Sequence, residues 1–282
     1  MRILVLGHKG MLGADLMTTL GGVHDVTGKD IEDFDIVSDS DCRRVIHESG
    51  PDVVINAVAF TNVDGCETDE AGCFSVNSDG VKNVAQACAG ADIRLVHFST
   101  DYVFDGTKTV PYVEEDECNP INVYGRSKLK GEEYLRNLSD NHLLLRTSWL
   151  YGRNGRNFVG AIIEKAEKTG RLEVVDDQTG SPTCTVDLAA AVKILVEDNH
   201  RGVFHVTNRG ACSWYQFASK ILEYKKMKDV TIVPIKSADL GKGAPRPEYS
   251  VLSCRKFADS THRTMRFWQV ALQEYLARLP AP

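Results

Sequence analysis

Apolar residues fall along this chain in short, nearly unbroken runs separated by stretches of helical spacing. Residues 2–6 read RILVL and stop at Gly7, and residues 11–20 then place apolar side chains three and four apart. Residues 24–27, 53–55 and 94–98 are further short apolar runs, with helix-like stretches over 39–49 and 67–89 between them. Strands that are apolar on both faces and alternate with helices predict an α/β class, a doubly wound parallel sheet covered on both sides. After Ser148 the pattern loosens. Helices near 157–168, 187–197 and 213–224 alternate with strands near 172–175 and 203–206, and prolines gather at 234, 245 and 247. That part reads as a smaller C-terminal α/β substrate-binding domain over the carboxyl edge of the sheet, where open α/β folds bind ligands. The expected division is 1–150 and 151–282, with segments of the second part free to return to the large sheet.

The first chemical motif is Gly7-His8-Lys9-Gly10-Met11-Leu12-Gly13, a GxxGxxG between the first strand and the first helix. Glycine there permits a tight turn and lets backbone approach a pyrophosphate, which a helix N-terminus favours. A glycine triplet alone is weak; its place after residue 6 and before a helix makes the sheet Rossmann-like and dinucleotide-binding. An acid should follow the second strand to hold the adenosine ribose, and Asp30 is the candidate, with Asp35 in DFDI a second. Asp30 would favour NAD, Lys9 and Lys29 would attract a 2′-phosphate, and Asp30 also suits a turn. The small residues of Asn56-Ala57-Val58-Ala59 suit close packing beside a cofactor. Asn77 reads equally as a bridge to backbone or as an exposed polar residue.

Thr100 stands at the end of the fourth strand, in FSTDYVFDG, where a hydroxyl faces the ligand crevice. Before NVYGRSK, Asn119-Pro120 starts a helix on which Tyr124 and Lys128 share one face. The chain contains a decoy, since Tyr224 and Lys228 in YKKMK have the same spacing. Only the first match has a strand-end hydroxyl and a glycine loop to go with it. The acidic stretch 111–118, PYVEEDEC, reads as a solvated loop.

Composition adds limits. Of 282 residues, 43% are hydrophobic and 26% charged, as in an ordinary globular protein, and the net charge of −6 argues against nucleic-acid or acidic-membrane partners. The N-terminal apolar run is too short for a signal-peptide core, and no stretch reaches the length of a membrane span. The eight cysteines include no CxxC pair and the histidines no HxH or HxxxH, so no metal site is assigned and a reducing cytoplasm is expected.

Taken together, GxxGxxG, NAVAFT, FSTDYVFDGT, NPINVYGRSKLKGE, RTSWLYG, DQTGSPT, DLA and RPEYS resemble the dTDP-4-dehydrorhamnose reductases, in the extended short-chain dehydrogenase/reductase superfamily. The resemblance spans residues 2 to 280. It implies reduction of the C4 ketone of a dTDP-sugar with NADPH or NADH, and catalytic roles for Thr100, Tyr124 and Lys128. Tyr124 would protonate the developing alkoxide, and Lys128 would lower the phenol's pKa and hold the nicotinamide ribose. Thr100 would polarise the carbonyl. Cofactor positions carried over are Gly7, Gly10, Met11, Leu12, Gly13, Asp30, Asp35, Ile36, Ala57, Ala59, Phe60, Thr61 and Phe98, besides Tyr124 and Lys128. Substrate positions are Thr100, Asp101, Trp149, Asn157 and Arg246. The resemblance leaves open a homodimer and a Mg2+ ion at its subunit interface. Asp101-Tyr102 stands where 4,6-dehydratases carry Asp-Glu, which excludes dehydration. A 4-epimerase and a non-catalytic partner similar to the regulatory subunit of methionine adenosyltransferase are the alternatives.

Overall fold

The computed structural model describes residues 1–241 and 243–279. In chain order the first half runs β1 (Arg2–Leu6), α1 (Met11–Gly21), β2 (Asp25–Lys29), α2 (Asp39–Ser49), β3 (Val53–Asn56), α3 (Val63–Thr68) and α4 (Glu70–Phe74). A π-turn, Ser75–Asp79, leads into α5 (Gly80–Ala89), followed by β4 (Arg94–Thr100), α6 (Val123–Leu138) and β5 (His142–Thr147). The second half comprises β6 (Leu150–Tyr151), α7 (Phe158–Thr169), β7 (Arg171–Val175), β8 (Thr179–Gly180), β9 (Thr183–Cys184), α8 (Thr185–Glu197) and β10 (Gly202–His205). It ends with β11 (Cys212–Ser213), α9 (Trp214–Tyr224), β12 (Thr231–Ile235), α10 (Arg255–Thr261) and α11 (Trp268–Ala277).

Six parallel strands pair in the order β10-β5-β4-β3-β1-β2, so the sheet is doubly wound as the alternation predicts. Strand β1 shows why its apolar run is unbroken. Ile3 and Val5 face one core with Leu16 and Leu20 of α1 and Leu188 and Val192 of α8. Leu4 and Leu6 face the other, with Val45 of α2, Val84 of α5 and Leu135 of α6. A leucine in either layer truncated to alanine would cost about 2–5 kcal/mol.

The second half divides between the two cores. Strand β10 extends the large sheet beside β5, and α8 packs against α1. A separate core joins α7, β7, α9 and α11 through Ile162, Leu172, Phe217 and Leu272.

Three readings need correction. The stretch 67–89 is not one helix: Asp69 accepts from Gly72 N and restarts the chain as α4, and the π-turn follows. Asn119-Pro120 does not start the helix holding Tyr124: it begins at Val123, four residues past Asn119, with Asn122 as its cap accepting from Gly125 N at 2.7 Å. Residues 111–118 are not simply solvated: Tyr112 is buried and stacked on Phe104, and Glu114 accepts the backbone N–H of His205 at 2.8 Å. No helix among the described residues is long and apolar enough to cross a membrane.

Candidate active site

The β1–α1 turn is a tight cradle. Gly7 has a φ of +79°, and its N–H donates to the Lys29 carbonyl at 2.8 Å. A methyl group added at Gly13 would lie 2.1 Å from the Gly7 carbonyl oxygen, so helix and turn can approach only with glycine there. Gly7, Gly10, Asp30, Asp35, Ile36, Ala57, Ala59 and Phe60 share the walls of one cleft of about 370 Å3. The remaining cofactor positions sit differently. Leu12 and Phe98 pack in the core beneath the turn. Met11 reaches across to Gly152, and Thr61 is exposed just before α3.

Three strand ends carry buried polar atoms without partners among the described residues: Asn56 Nδ2 on β3, Ser99 Oγ on β4 and Thr147 Oγ1 on β5. Buried polar groups are normally paired, so these atoms can bond a polar ligand or water at the carboxyl edge of the sheet. With the glycine cradle and the cleft, they fit a dinucleotide.

Helix α6 holds Tyr124 and Lys128 through a buried lattice that pattern reading did not find. Asn77 is that lattice's centre: its Oδ1 accepts from Phe60 N at 2.8 Å, and its Nδ2 donates to Phe60 O and to Ser127 Oγ, each at 3.0 Å. The bridging reading of Asn77 is therefore the correct one. Ser127, between Tyr124 and Lys128, also touches the Cys73 thiol at 3.1 Å, and all eight cysteines are free. Gly125 lets α6 close on the loop after β4, since a methyl group there would fall 2.1 Å from the Tyr102 carbonyl oxygen. The α6 N-terminus is tied down twice more, by Glu67 accepting from Val123 N and by Asn122 donating to Pro245 O, each at 2.8 Å.

Lys128 is buried, and its Nζ lies 3.4 Å from His97 Nε2. Burial brings its pKa down to about 8, opposed by the charge of Glu132 one turn along. Burial and the Lys128 charge push His97 well below 6.5, so His97 is neutral and can accept from Lys128. Glu132 is itself fixed by a buried two-point pair with Arg146, Nη2 to Oε2 at 2.7 Å and Nε to Oε1 at 3.0 Å.

Tyr124 stands edge-on to Tyr102, ring centroids 6.0 Å apart. Its phenol is pushed above the ordinary value of 10.0 by burial first and then by Asp101, with the Thr100 hydroxyl opposing. The lowering expected from Lys128 and the nicotinamide charge belongs to the complex with cofactor; in the protein alone burial and Asp101 raise the phenol's pKa. Thr100 caps the turn after β4, accepting from Tyr102 N at 3.1 Å and donating to Asp101 Oδ1 at 3.0 Å. Asp101 is 2% exposed, its Oδ2 has no partner at normal geometry among the described residues, and burial raises its pKa from 3.8 to about 7 against the Ser250 and Thr100 hydroxyls.

The three expected substrate positions beyond Asp101 are held by neighbours. Trp149 takes a φ of +49° and stacks on Trp214 with ring centroids 3.4 Å apart, and its indole leaves no room for a side chain at Gly180. Trp214, 65 positions later, could not be paired with it from local pattern. Asn157 caps α7, accepting from Gly160 N at 3.1 Å, while its Nδ2 faces Gly152 O at 2.8 Å and Tyr275 Oη at 3.4 Å. That geometry gives the amide a structural role in the protein alone. Arg246 Nη2 faces both oxygens of Asp64 at 3.0 and 2.9 Å and its Nη1 donates to Ala244 O at 2.9 Å. Tyr224 ends α9 and Lys228 lies beyond it, after Lys226 at φ +57°, so the decoy pair shares no helical turn.

A second cavity of about 380 Å3 lies past the end of β10, lined by Thr207, Arg209, Tyr249, Leu252 and Cys254 among others. None of Thr100, Tyr124 and Lys128 lines it or the cleft at the glycine cradle. No group of three or more His, Cys, Asp or Glu side chains placed to hold a metal ion occurs among the described residues.

Known proteins agree with this arrangement over nearly the whole chain. The model of the family described as the RmlD substrate binding domain matches residues 1–280. The spore coat polysaccharide biosynthesis protein SpsK of Bacillus subtilis is 39% identical over 276 residues, 98% of this chain and 96% of SpsK. A dTDP-4-dehydrorhamnose reductase of Mycobacterium tuberculosis is 38% identical, covering 98% of this chain and 92% of its own. The crystal structure of a dTDP-4-dehydrorhamnose reductase from Bacillus anthracis in complex with NADP superposes with a TM-score of 0.96, at 35% identity and 99% coverage of each chain. With the family's model spanning the glycine cradle, the Tyr124–Lys128 helix and the second core alike, the chain belongs to the RmlD substrate binding domain family.

Proposed function

We propose that the chain is an NAD(P)H-dependent reductase of dTDP-4-keto sugars, and that its substrate is dTDP-4-dehydro-L-rhamnose, reduced at C4 to dTDP-L-rhamnose. The observation that carries the reading is the meeting of Thr100, Asp101 and Tyr124 at the end of β4, with Lys128 one turn deeper and a dinucleotide-sized cleft at the glycine cradle. The relatives named above support the nucleotide-sugar class.

A bound reduced nicotinamide supplies the hydride that reaches C4. Tyr124 gives its phenolic proton to the C4 oxygen, so carbonyl, hydride and proton together make the secondary alcohol. The phenol is protonated at neutral pH and so carries the proton that reduction requires. The Lys128 ammonium stabilises the phenolate left behind and is positioned to hold ribose hydroxyls. Thr100 polarises the C4 oxygen once its hydrogen turns from Asp101 Oδ1 to the substrate. A protonated Asp101, favoured by its raised pKa, can then donate to the Thr100 oxygen. Tyr102 follows Asp101, and no second carboxylate is available there for eliminating water.

The test offers dTDP-4-dehydro-L-rhamnose, made enzymatically from dTDP-glucose, together with NADH or NADPH. The expected result is loss of reduced-nicotinamide absorbance matched by formation of dTDP-L-rhamnose, identified by NMR. No consumption with either nucleotide would overturn the proposal.

A further inference from the structure

We propose that Cys66 and Cys73 are a reversible modification site: a peroxide converts the two thiols to a disulfide, and the bridge slows the chemistry at Tyr124 and Lys128 until a thiol reductant reopens it. The effect on turnover rests on the reading of Tyr124 and Lys128 as catalytic; the bridge itself does not.

The two sulfurs belong to separate short helices, Cys66 to α3 and Cys73 to α4, and lie 2.6 Å apart. Both are buried, in a cluster that also holds Val123 and Tyr124. A disulfide spans about 2.05 Å, so the backbone already presents the sulfurs close to where a bridge would put them. Among the described residues no other two cysteine sulfurs are in hydrogen-bonding contact, although all eight cysteines are free.

Cys73 also joins the pair to α6. Its sulfur lies 3.1 Å from Ser127 Oγ and 3.5 Å from Asn77 Nδ2. Ser127 Oγ donates its own hydrogen to Tyr124 O at 2.8 Å, which leaves the Cys73 S–H to donate to Ser127. A bridged Cys73 has no S–H and its sulfur is drawn toward Cys66. Ser127 and Asn77 then lose a partner inside the lattice that spaces Tyr124 from Lys128. Glu67, next to Cys66, accepts from Val123 N at 2.8 Å, so a shift of α3 also reaches the first turn of α6.

The step balances with one hydrogen peroxide. One sulfur, as thiolate, attacks a peroxide oxygen; the O–O bond breaks, leaving a sulfenic acid and water. The second sulfur attacks the sulfenic sulfur, the S–O bond breaks, and a second water leaves with the remaining thiol proton. Two electrons pass from the sulfurs to the peroxide. The closed form reacts slowly, since burial holds the Cys66 thiol above its ordinary 9.0. Oxidation therefore proceeds through local opening of α3 and α4, helices of six and five residues whose outer residues 67–71 are exposed. In a reducing compartment the bridge is transient, as redox-sensing disulfides are.

The test treats the reduced full chain with hydrogen peroxide and maps the alkylated digest by mass spectrometry. The expected product is a Cys66–Cys73 crosslink that lowers the intact mass by two hydrogens and is opened by dithiothreitol. Turnover of dTDP-4-dehydro-L-rhamnose is expected to fall about threefold to tenfold in the bridged chain, the size of one buried hydrogen bond, and to return with dithiothreitol. Cys66→Ala is expected to match the parent before peroxide and to lose clearly less turnover after it. Absence of the crosslink, a different pairing, full turnover in the bridged chain or equal loss in Cys66→Ala would each overturn the proposal. A reduced chain that consumes no reduced nicotinamide with any dTDP-4-keto sugar would instead overturn the reading of the site, and the peptide map then decides the bridge by itself.

Discussion

Replacing Asp101 with asparagine is expected to stabilise the fold at neutral and alkaline pH while impairing turnover. Asp101 is buried, and its pKa rises from 3.8 to about 7, chiefly because burial disfavours its charged form. In the unfolded chain the same carboxyl ionises near its ordinary value. Between those two values unfolding releases a proton, so the native state loses stability as pH rises from about 4 to about 7. A separation of about three units, at roughly 1.36 kcal/mol each, amounts to about 4 kcal/mol. Asparagine keeps an oxygen for the Thr100 hydroxyl and cannot ionise, so the variant escapes the penalty. Denaturant unfolding of both chains, at pH steps from about 4 to about 8, should give a stability difference that is small at the acid end and grows to a few kcal/mol. A difference that stays constant with pH, or a variant less stable than the parent at pH 8, would refute the reasoning. Lower activity in the more stable variant is the usual exchange at a catalytic site.

Further outcomes are expected. Tyr124→Phe should lower turnover by about 100-fold or more with cofactor Kd nearly unchanged, whereas Tyr224→Phe, at the end of α9, should leave steady-state kinetics close to the parent. Because Lys128 has a pKa of about 8 in the free protein, its ammonium is lost above that pH, and kcat/KM for the reduced nicotinamide should fall from about pH 8 upward, not from near 10.5. Arg146→Met strips the buried Glu132 of its partner at 2.7 Å and should destabilise the fold by about 3–5 kcal/mol in urea unfolding. Gly13→Ala should weaken cofactor binding by calorimetry, since the added methyl meets the Gly7 carbonyl oxygen and forces the turn open.

The sequence carried the sheet because β1, β3, β4 and β5 are buried on both faces, which leaves unbroken apolar runs. The glycine turn was equally plain, since its three glycines are required locally. Long-range features were not. Nothing near residue 204 says that β10 pairs with β5, and nothing near Trp149 announces Trp214. The capping of α7 by Asn157 was hidden because a cap and a sugar ligand both call for an amide; its partners Gly160 and Gly152 meet it only in the fold. Arg246 was ambiguous for a similar reason until Asp64 appeared opposite it. For Tyr124 a sequence shows the lysine four residues away but not the burial and the neighbouring Asp101 that raise its pKa in the protein alone. His97 and Asn77, which hold the Tyr124–Lys128 helix from beneath, carry no motif of their own; their signal is a polar residue on a strand or helix face that should be apolar.

The most direct test of the account follows the hydride itself. Nicotinamide cofactor deuterated at the transferring C4 position is given in a single turnover with dTDP-4-dehydro-L-rhamnose, and the sugar product is read by NMR. The account predicts one deuterium at C4 of dTDP-L-rhamnose with the parent chain, and almost none on the same timescale with Tyr124→Phe. Product lacking deuterium at C4, or equal labelling with Tyr124→Phe, would contradict it.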